Sequence, residues 1–136
     1  MNSSVDEDPA RAGARPQPRP VEVPPVNGVL IALTNVPDEE CAREIADALV
    51  RERFAACVNI LAGCTSIYRW QGEVETADEI PLLIKTTTDR FAALEARLTE
   101  LHPYDVPELI AWRPDAVIPA YASWVIVETR RRRAPG

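Results

Sequence analysis

VLIALTNVPDEECAREIADALV, residues Val29 to Val50, joins a strand to a helix, and the filling of its first residues decides the fold. Val29 to Leu33 are apolar at consecutive positions, whereas a strand with one wet face alternates apolar and polar residues. Pro37, Asp38, Glu39 and Glu40 open the helix, a start that suits the fixed φ of proline and the positive end of the helix dipole. Ala42, Ile45, Ala46 and Leu49 then fall at i, i+3, i+4 and i+7, one apolar stripe. Glu39 with Arg43, and Asp47 with Arg51, are i,i+4 pairs on the wet side. A strand that is dry on both faces needs cover on two sides.

Working outward, CVNIL (Cys57 to Leu61) is a second strand. TSIYRWQ alternates, so that Ser66, Tyr68 and Trp70 share one face while Ile67, Arg69 and Gln71 share the other. Gln71-Gly72 is a turn, and an acidic arm, Glu73 to Glu79, leads back into the strand IPLLIKT. Thr88 stands as the cap of a second helix whose stripe is Phe91, Leu94, Leu98 and Leu101. PELIAW supplies a last strand, and Pro119 starts a short helix with Tyr121, Trp124 and Val125 facing inward. The order β, α, β, β, α, β, α predicts an α+β, ferredoxin-like βαββαβ subunit with an extra C-terminal helix, the helices lying on one face of an antiparallel sheet. Leu82 to Ile84 repeat the doubly apolar pattern of Val29 to Leu33. The second sheet face is therefore expected to be buried by a closed homo-oligomer, with Tyr68 and Trp70 as interface aromatics.

At 136 residues the chain holds one domain. Six of its thirteen prolines fall before residue 28, among Arg and Ala without apolar periodicity, so residues 1–27 are expected to be a disordered Pro/Arg-rich tail. Residues 28–130 form the folded part, and 131–136 close the chain as a basic tail. No apolar run approaches the roughly 20 residues of a membrane span, and MNSSVDEDPA lacks the apolar core of a secretory signal. The expectation is a cytoplasmic protein with no membrane partner. Cys41, Cys57 and Cys64 show no C-x-x-C spacing and read as free thiols. The folded part carries 9 basic and 17 acidic residues, net −8, which excludes nucleic acid, whose affinity comes mostly from phosphate neutralisation.

Among groups that carry chemistry, there is no Gly-rich phosphate loop, no H-E-x-x-H and no G-x-S-x-G. Cys57, His102 and Glu108 are the one soft-to-hard ligand set the fold could bring together, since Cys57 opens one strand and the other two flank the start of another. Thiolate, imidazole and carboxylate suit copper or zinc. The opposing reading makes His102, the only histidine, a ring wedged where a helix meets a strand. Lys85 is the single lysine beside fourteen arginines, which points to a compact ammonium facing an anion or an acid such as Glu79. Glu73, Glu75, Asp78 and Glu79 are either a solvated face or a weak collector of divalent cations.

TNVPDEECAREIADALVRERFAACVNI, SIYRWQGEVE, IKT, LHPYDVPELI and YASW, in this order and at these separations, resemble the CutA family of divalent-cation tolerance proteins from about Val29 to Thr129. The resemblance implies a ferredoxin-like subunit in a tight homotrimer. It carries over Cys57, Tyr68, Trp70, Glu79, Lys85, Thr86, His102, Tyr104, Pro107, Glu108, Tyr121 and Trp124 as residues gathered around clefts between subunits, where metal or small anions bind. The chain departs from the family pattern at Ala62, where proline is common, at Cys64, where an aliphatic is expected, in AWRPDAVIP, and at Thr34, where some members have cysteine. The function implied is a non-catalytic trimer that binds divalent copper or zinc, has no organic cofactor and contributes to cation tolerance. The alternative is a sensor like the signalling PII proteins, with Lys85 and Tyr104 gripping an anionic metabolite. A third reading makes Tyr68, Trp70, Tyr121 and Trp124 packing groups of a scaffold.

Overall fold

A computed structural model describes residues 28–131. The expected tail over 1–27 and the basic end beyond Arg131 lie outside the described residues. The elements are β1 (Val29–Val36), α1 (Glu39–Arg51), β2 (Cys57–Ile60), β3 (Cys64–Trp70), β4 (Glu73–Thr87), α2 (Thr88–Leu101), β5 (Ile110–Trp112) and α3 (Pro119–Glu128). Four strands form an antiparallel sheet in the order β2-β4-β1-β5, and β3 pairs with the far half of β4. This is the expected α+β, ferredoxin-like arrangement.

Local chemistry explains the ends of α1. The Asp38 side chain accepts the Cys41 N–H at 2.8 Å, which satisfies one of the four unpaired N–H groups of a helix start. At the other end Arg53 N–H donates to the Val50 carbonyl and Phe54 N–H to the Leu49 carbonyl, at 3.1 and 2.9 Å. These two bonds make a Schellman motif, whose left-handed position is usually glycine; here it is Arg53, at φ 66°. The α2 cap falls one residue before its expected place. Thr87 keeps the extended backbone of β4 and makes no side-chain capping bond, while the Thr88 N–H is already taken by the Gly28 carbonyl.

The acidic arm is not a separate segment. It is the first half of a continuous 15-residue strand, β4, joined to β3 by Gln71 and Gly72 at φ 51° and 84°, the paired positive values of a tight hairpin turn. Pro81 stands where β4 leaves β3 and enters the main sheet.

Register separates the two sheet faces. Ala32 lies opposite Ile84 and Ala111, and Ile84 opposite Val58, so these residues share the face that carries the core with Ile45, Leu49, Leu94 and Leu98 of α1 and α2. Ile31, Lys85, Cys57 and Trp112 share the other face, as do Leu33, Leu83, Asn59 and Ile110. The expectation of three helices on one side is corrected here. Val29, pointing away from α1 and α2, packs with Ala56, Ala122 and Val125, so α3 lies over one end of the second face. The rest of that face is apolar and partly open, with Ile110 55% and Trp112 44% exposed. Of the α3 residues expected to face inward, Val125 is buried and Tyr121 half-buried, while Trp124 is 42% exposed because the helix covers only the Val29 end.

One core residue is mismatched to its surroundings. The Thr34 hydroxyl is fully buried without a hydrogen-bond partner among the described residues, and an unpaired buried polar group costs about 1–3 kcal/mol. Thr34→Val keeps the shape and removes the hydroxyl, so chemical denaturation is expected to show a gain of about 1 kcal/mol; a loss of stability would mean that the hydroxyl has a partner.

Candidate functional site

The hairpin register explains the site. Pairing of Tyr68 with Glu75, Trp70 with Glu73 and Cys64 with Glu79 puts aromatic and acidic side chains on one face of β3–β4. The α2–β5 loop comes against that face, enclosing a cleft of about 470 Å³. Tyr68, Trp70 and Tyr104 form aromatic walls, and Glu75, Glu79, Asp105 and Glu108 contribute four carboxylates; the lining contains no Lys, Arg or His. Asn35, at the end of β1, reaches in from the sheet and donates to Glu108 Oε1 at 3.1 Å. The Tyr104 hydroxyl donates to Glu79 Oε2 at 2.8 Å. Burial, and then the Glu79 carboxylate, push the Tyr104 phenol well above its ordinary pKa, so it stays a neutral donor. Glu75 and Asp105 have no hydrogen-bond donor among the described residues.

His102 lies behind this cleft and is 6% exposed. Its Nδ1 accepts the Tyr104 backbone N–H at 3.2 Å, and its Nε2 lies 2.8 Å from the Asn35 carbonyl. A nitrogen that accepts carries no proton, so Nε2 carries it and donates to Asn35. The ring is thus neutral, in one tautomer, with neither nitrogen left for a metal. It also packs at 4.8 Å against the Tyr104 ring.

Within this chain the expected Cys57, His102 and Glu108 set does not gather. Cys57 lies opposite Lys85, whereas His102 and Glu108 both attach to Asn35, opposite Pro81. Lys85 and Pro81 are four residues apart on β4, about 13 Å. Among the described residues no three His, Cys, Asp or Glu side chains stand close enough to hold a metal. Lys85 does not face Glu79 either: its ammonium donates to Asn59 Oδ1 on β2, and six residues of strand, about 20 Å, separate it from the Glu79 that Tyr104 holds. Lys85 and Tyr104 therefore do not converge within the chain. Thr86 is fully buried and donates to the Phe54 carbonyl at 2.7 Å, a tie between β4 and the loop after α1. Tyr121 lies beside Cys57, and its phenol is raised by burial and then by that thiol. The rings of Tyr121 and Trp124 are 5.5 Å apart, away from the acidic cleft. Pro107 lines a smaller cavity under α2.

Of the residues that the resemblance assigns to clefts between subunits, Tyr68, Trp70, Glu79, Tyr104 and Glu108 line this cleft of the single chain, and Asn35, Pro103, Asp105 and Val106, which the sequence reading missed, line it with them. Pro103, Asp105 and Val106 were visible as neighbours of Tyr104. Asn35 carried no signal, since a polar residue at a strand end is ordinary.

Among the described residues no helix is long and apolar enough to cross a membrane. The divalent-cation tolerance protein CutA of Thermus thermophilus is 60% identical over 81 residues, which cover 60% of this chain and 79% of that protein. The protein of the same name from Pyrococcus horikoshii is 38% identical over 103 residues, covering 76% of this chain and all of its own length. The crystal structure of CutA from Xylella fastidiosa superposes with a TM-score of 0.74 at 44% identity, covering 76% of this chain and 99% of that one. Residues 30–128 match the family described as CutA1 divalent ion tolerance protein. On this match and these relatives, the chain belongs to the CutA1 family.

Proposed function

We propose that the chain is a non-catalytic subunit of a homotrimer that takes divalent cations, copper or zinc among them, at its acidic cleft and so contributes to cation tolerance in the cytoplasm. The observation that carries this reading is the composition of one cavity wall: four carboxylates, three aromatic rings and no basic side chain. Carboxylate oxygens favour divalent cations, and the rings lower the local dielectric, which strengthens the attraction. Because no three His, Cys, Asp or Glu side chains among the described residues stand within coordinating reach, the cation takes its remaining ligands from a second subunit or from water. The open apolar sheet face around Ile110 and Trp112 supports assembly. The neutral phenol of Tyr104 and carboxylates already bonded to Tyr104 and Asn35 suit binding, not proton transfer. Three free cysteines support a reducing compartment.

Calorimetric titration of metal-free protein with copper and zinc tests the site. Glu75→Gln and Glu108→Gln are each expected to weaken binding about 10-fold or more, the size found even for groups behind a metal ligand. Unchanged affinity in both variants, with loss in Cys57→Ser, would move the site to the thiol.

A further inference from the structure

The close of α1, the first turn of α2 and the end of α3 meet around a second cavity, of about 690 Å³, that shares no lining residue with the acidic cleft. Arg51, Arg53, Arg90 and Arg131 line it, with Trp124 as an aromatic wall and Glu52 and Glu128 beside them. Four arginines against two carboxylates give this lining a basic balance, although the folded part as a whole is strongly acidic. The nearby acids offset only part of this charge. Glu52, in the lining, gives both oxygens to Arg97, which is not, at 2.8 and 3.0 Å. Glu128 comes only to 3.7 Å from Arg53. Arg51 is held by Asp47 through Nε in an exposed pair, which contributes little. Arg90 and Arg131 meet no carboxylate among the described residues.

Two of the arginines are also oriented in advance. Arg90 Nε donates to the Arg53 carbonyl at 3.2 Å, and its guanidinium lies 4.7 Å over the Phe54 ring, which fixes its plane. Burial, and then the neighbouring charge of Arg131, hold its pKa below the ordinary value. Arg53 occupies the left-handed position where glycine is usual, and its Nη1 donates to the Glu128 carbonyl at 3.0 Å. The rigid fork of arginine matches phosphate oxygens in pairs, and the cavity is of the size that small-molecule sites have.

We propose that this cavity binds a phosphate-bearing small anion, with its oxygens on Arg90 and Arg131 and any aromatic ring it carries against Trp124. A nucleotide and an inorganic polyphosphate present the same oxygens, and the aromatic wall separates them. The test is calorimetric titration of the full chain, at low ionic strength, with pyrophosphate and with ADP. Both are expected to bind, and Arg90→Gln and Arg131→Gln are each expected to weaken both about 10-fold. Trp124→Leu is expected to weaken ADP alone if the natural ligand is a nucleotide. Arg131 bonds to nothing among the described residues, so Arg131→Gln remains a fair test even if Arg90→Gln disturbs the fold. Arg113→Gln, in the lining of neither cavity, is expected to leave both affinities unchanged. Failure of both ligands to bind at millimolar concentration, or an equal loss in Arg113→Gln and Arg131→Gln, overturns the proposal.

Discussion

Ile84→Ala is expected to lower the unfolding free energy by about 2–5 kcal/mol, the range for truncating a fully buried aliphatic residue. Ile84 is fully buried on β4, in register between Ala32 of β1 and Val58 of β2, under α1 and α2. Its neighbour Ala32 carries only a methyl group, so it cannot swing in to fill the space that is left. Three methylene-sized groups disappear, and each is worth about 0.8 kcal/mol of transfer free energy before the cavity term is added. Ile84→Val removes one of them and is expected to cost about 0.5–1.5 kcal/mol. Urea unfolding at fixed protomer concentration measures both; a loss under about 1 kcal/mol for Ile84→Ala would show that the sheet closes over the gap. Leu83, the next residue, points to the open face beside Leu33 and Ile110. In the proposed homotrimer Leu83→Ala is expected to approach the cost of Ile84→Ala and to raise the concentration at which the assembly comes apart, because loss of subunit contacts enters by mass action.

His102→Ala is expected to cost about 2–4 kcal/mol while leaving copper and zinc affinity at the acidic cleft unchanged. The imidazole links three segments: its Nε2–H donates to the carbonyl of Asn35 at the end of β1, its Nδ1 receives the Tyr104 N–H, and its ring closes the C-terminal end of α2. Alanine leaves the Asn35 carbonyl and the Tyr104 N–H without partners in a buried place and opens a ring-sized hole. His102→Gln keeps a donor of similar reach, so part of the loss is expected to return. Thermal melting together with cation titration separates the outcomes. An unchanged melting temperature with lost metal affinity would make His102 a ligand after all, and the hydrogen bonds drawn here would have to break on binding.

The two faces of the β3–β4 hairpin were legible because strand alternation is a local property: Tyr68 and Trp70 had to share a side whatever they met. The helix stripes were legible for the same reason, and Ala42, Ile45, Ala46 and Leu49 are all buried as expected. Doubly apolar β1 and β4 announced a sheet needing cover on both sides, and the structure places α3 over only part of the second face. The Cys57, His102 and Glu108 set was chosen because each sits at a strand end. Strand ends in an antiparallel sheet lie at two opposite edges of the layer, and the register sends Cys57 to one and His102 to the other. Chain order alone does not carry that distinction.

By itself, then, the sequence determined the elements, their buried faces, the hairpin and the family, because periodicity, turn chemistry and the spacing of motifs are written along the chain. Only the tertiary structure decided which side chains meet. It spent both nitrogens of His102 on the backbone, placed the carboxylates of a hairpin and a loop 30 residues apart, such as Glu75 and Asp105, around one cleft, and drew arginines from the ends of three helices around another. Those meetings depend on strand register and helix packing, which arise from contacts between residues far apart in sequence, and no local pattern encodes the distance between two such residues.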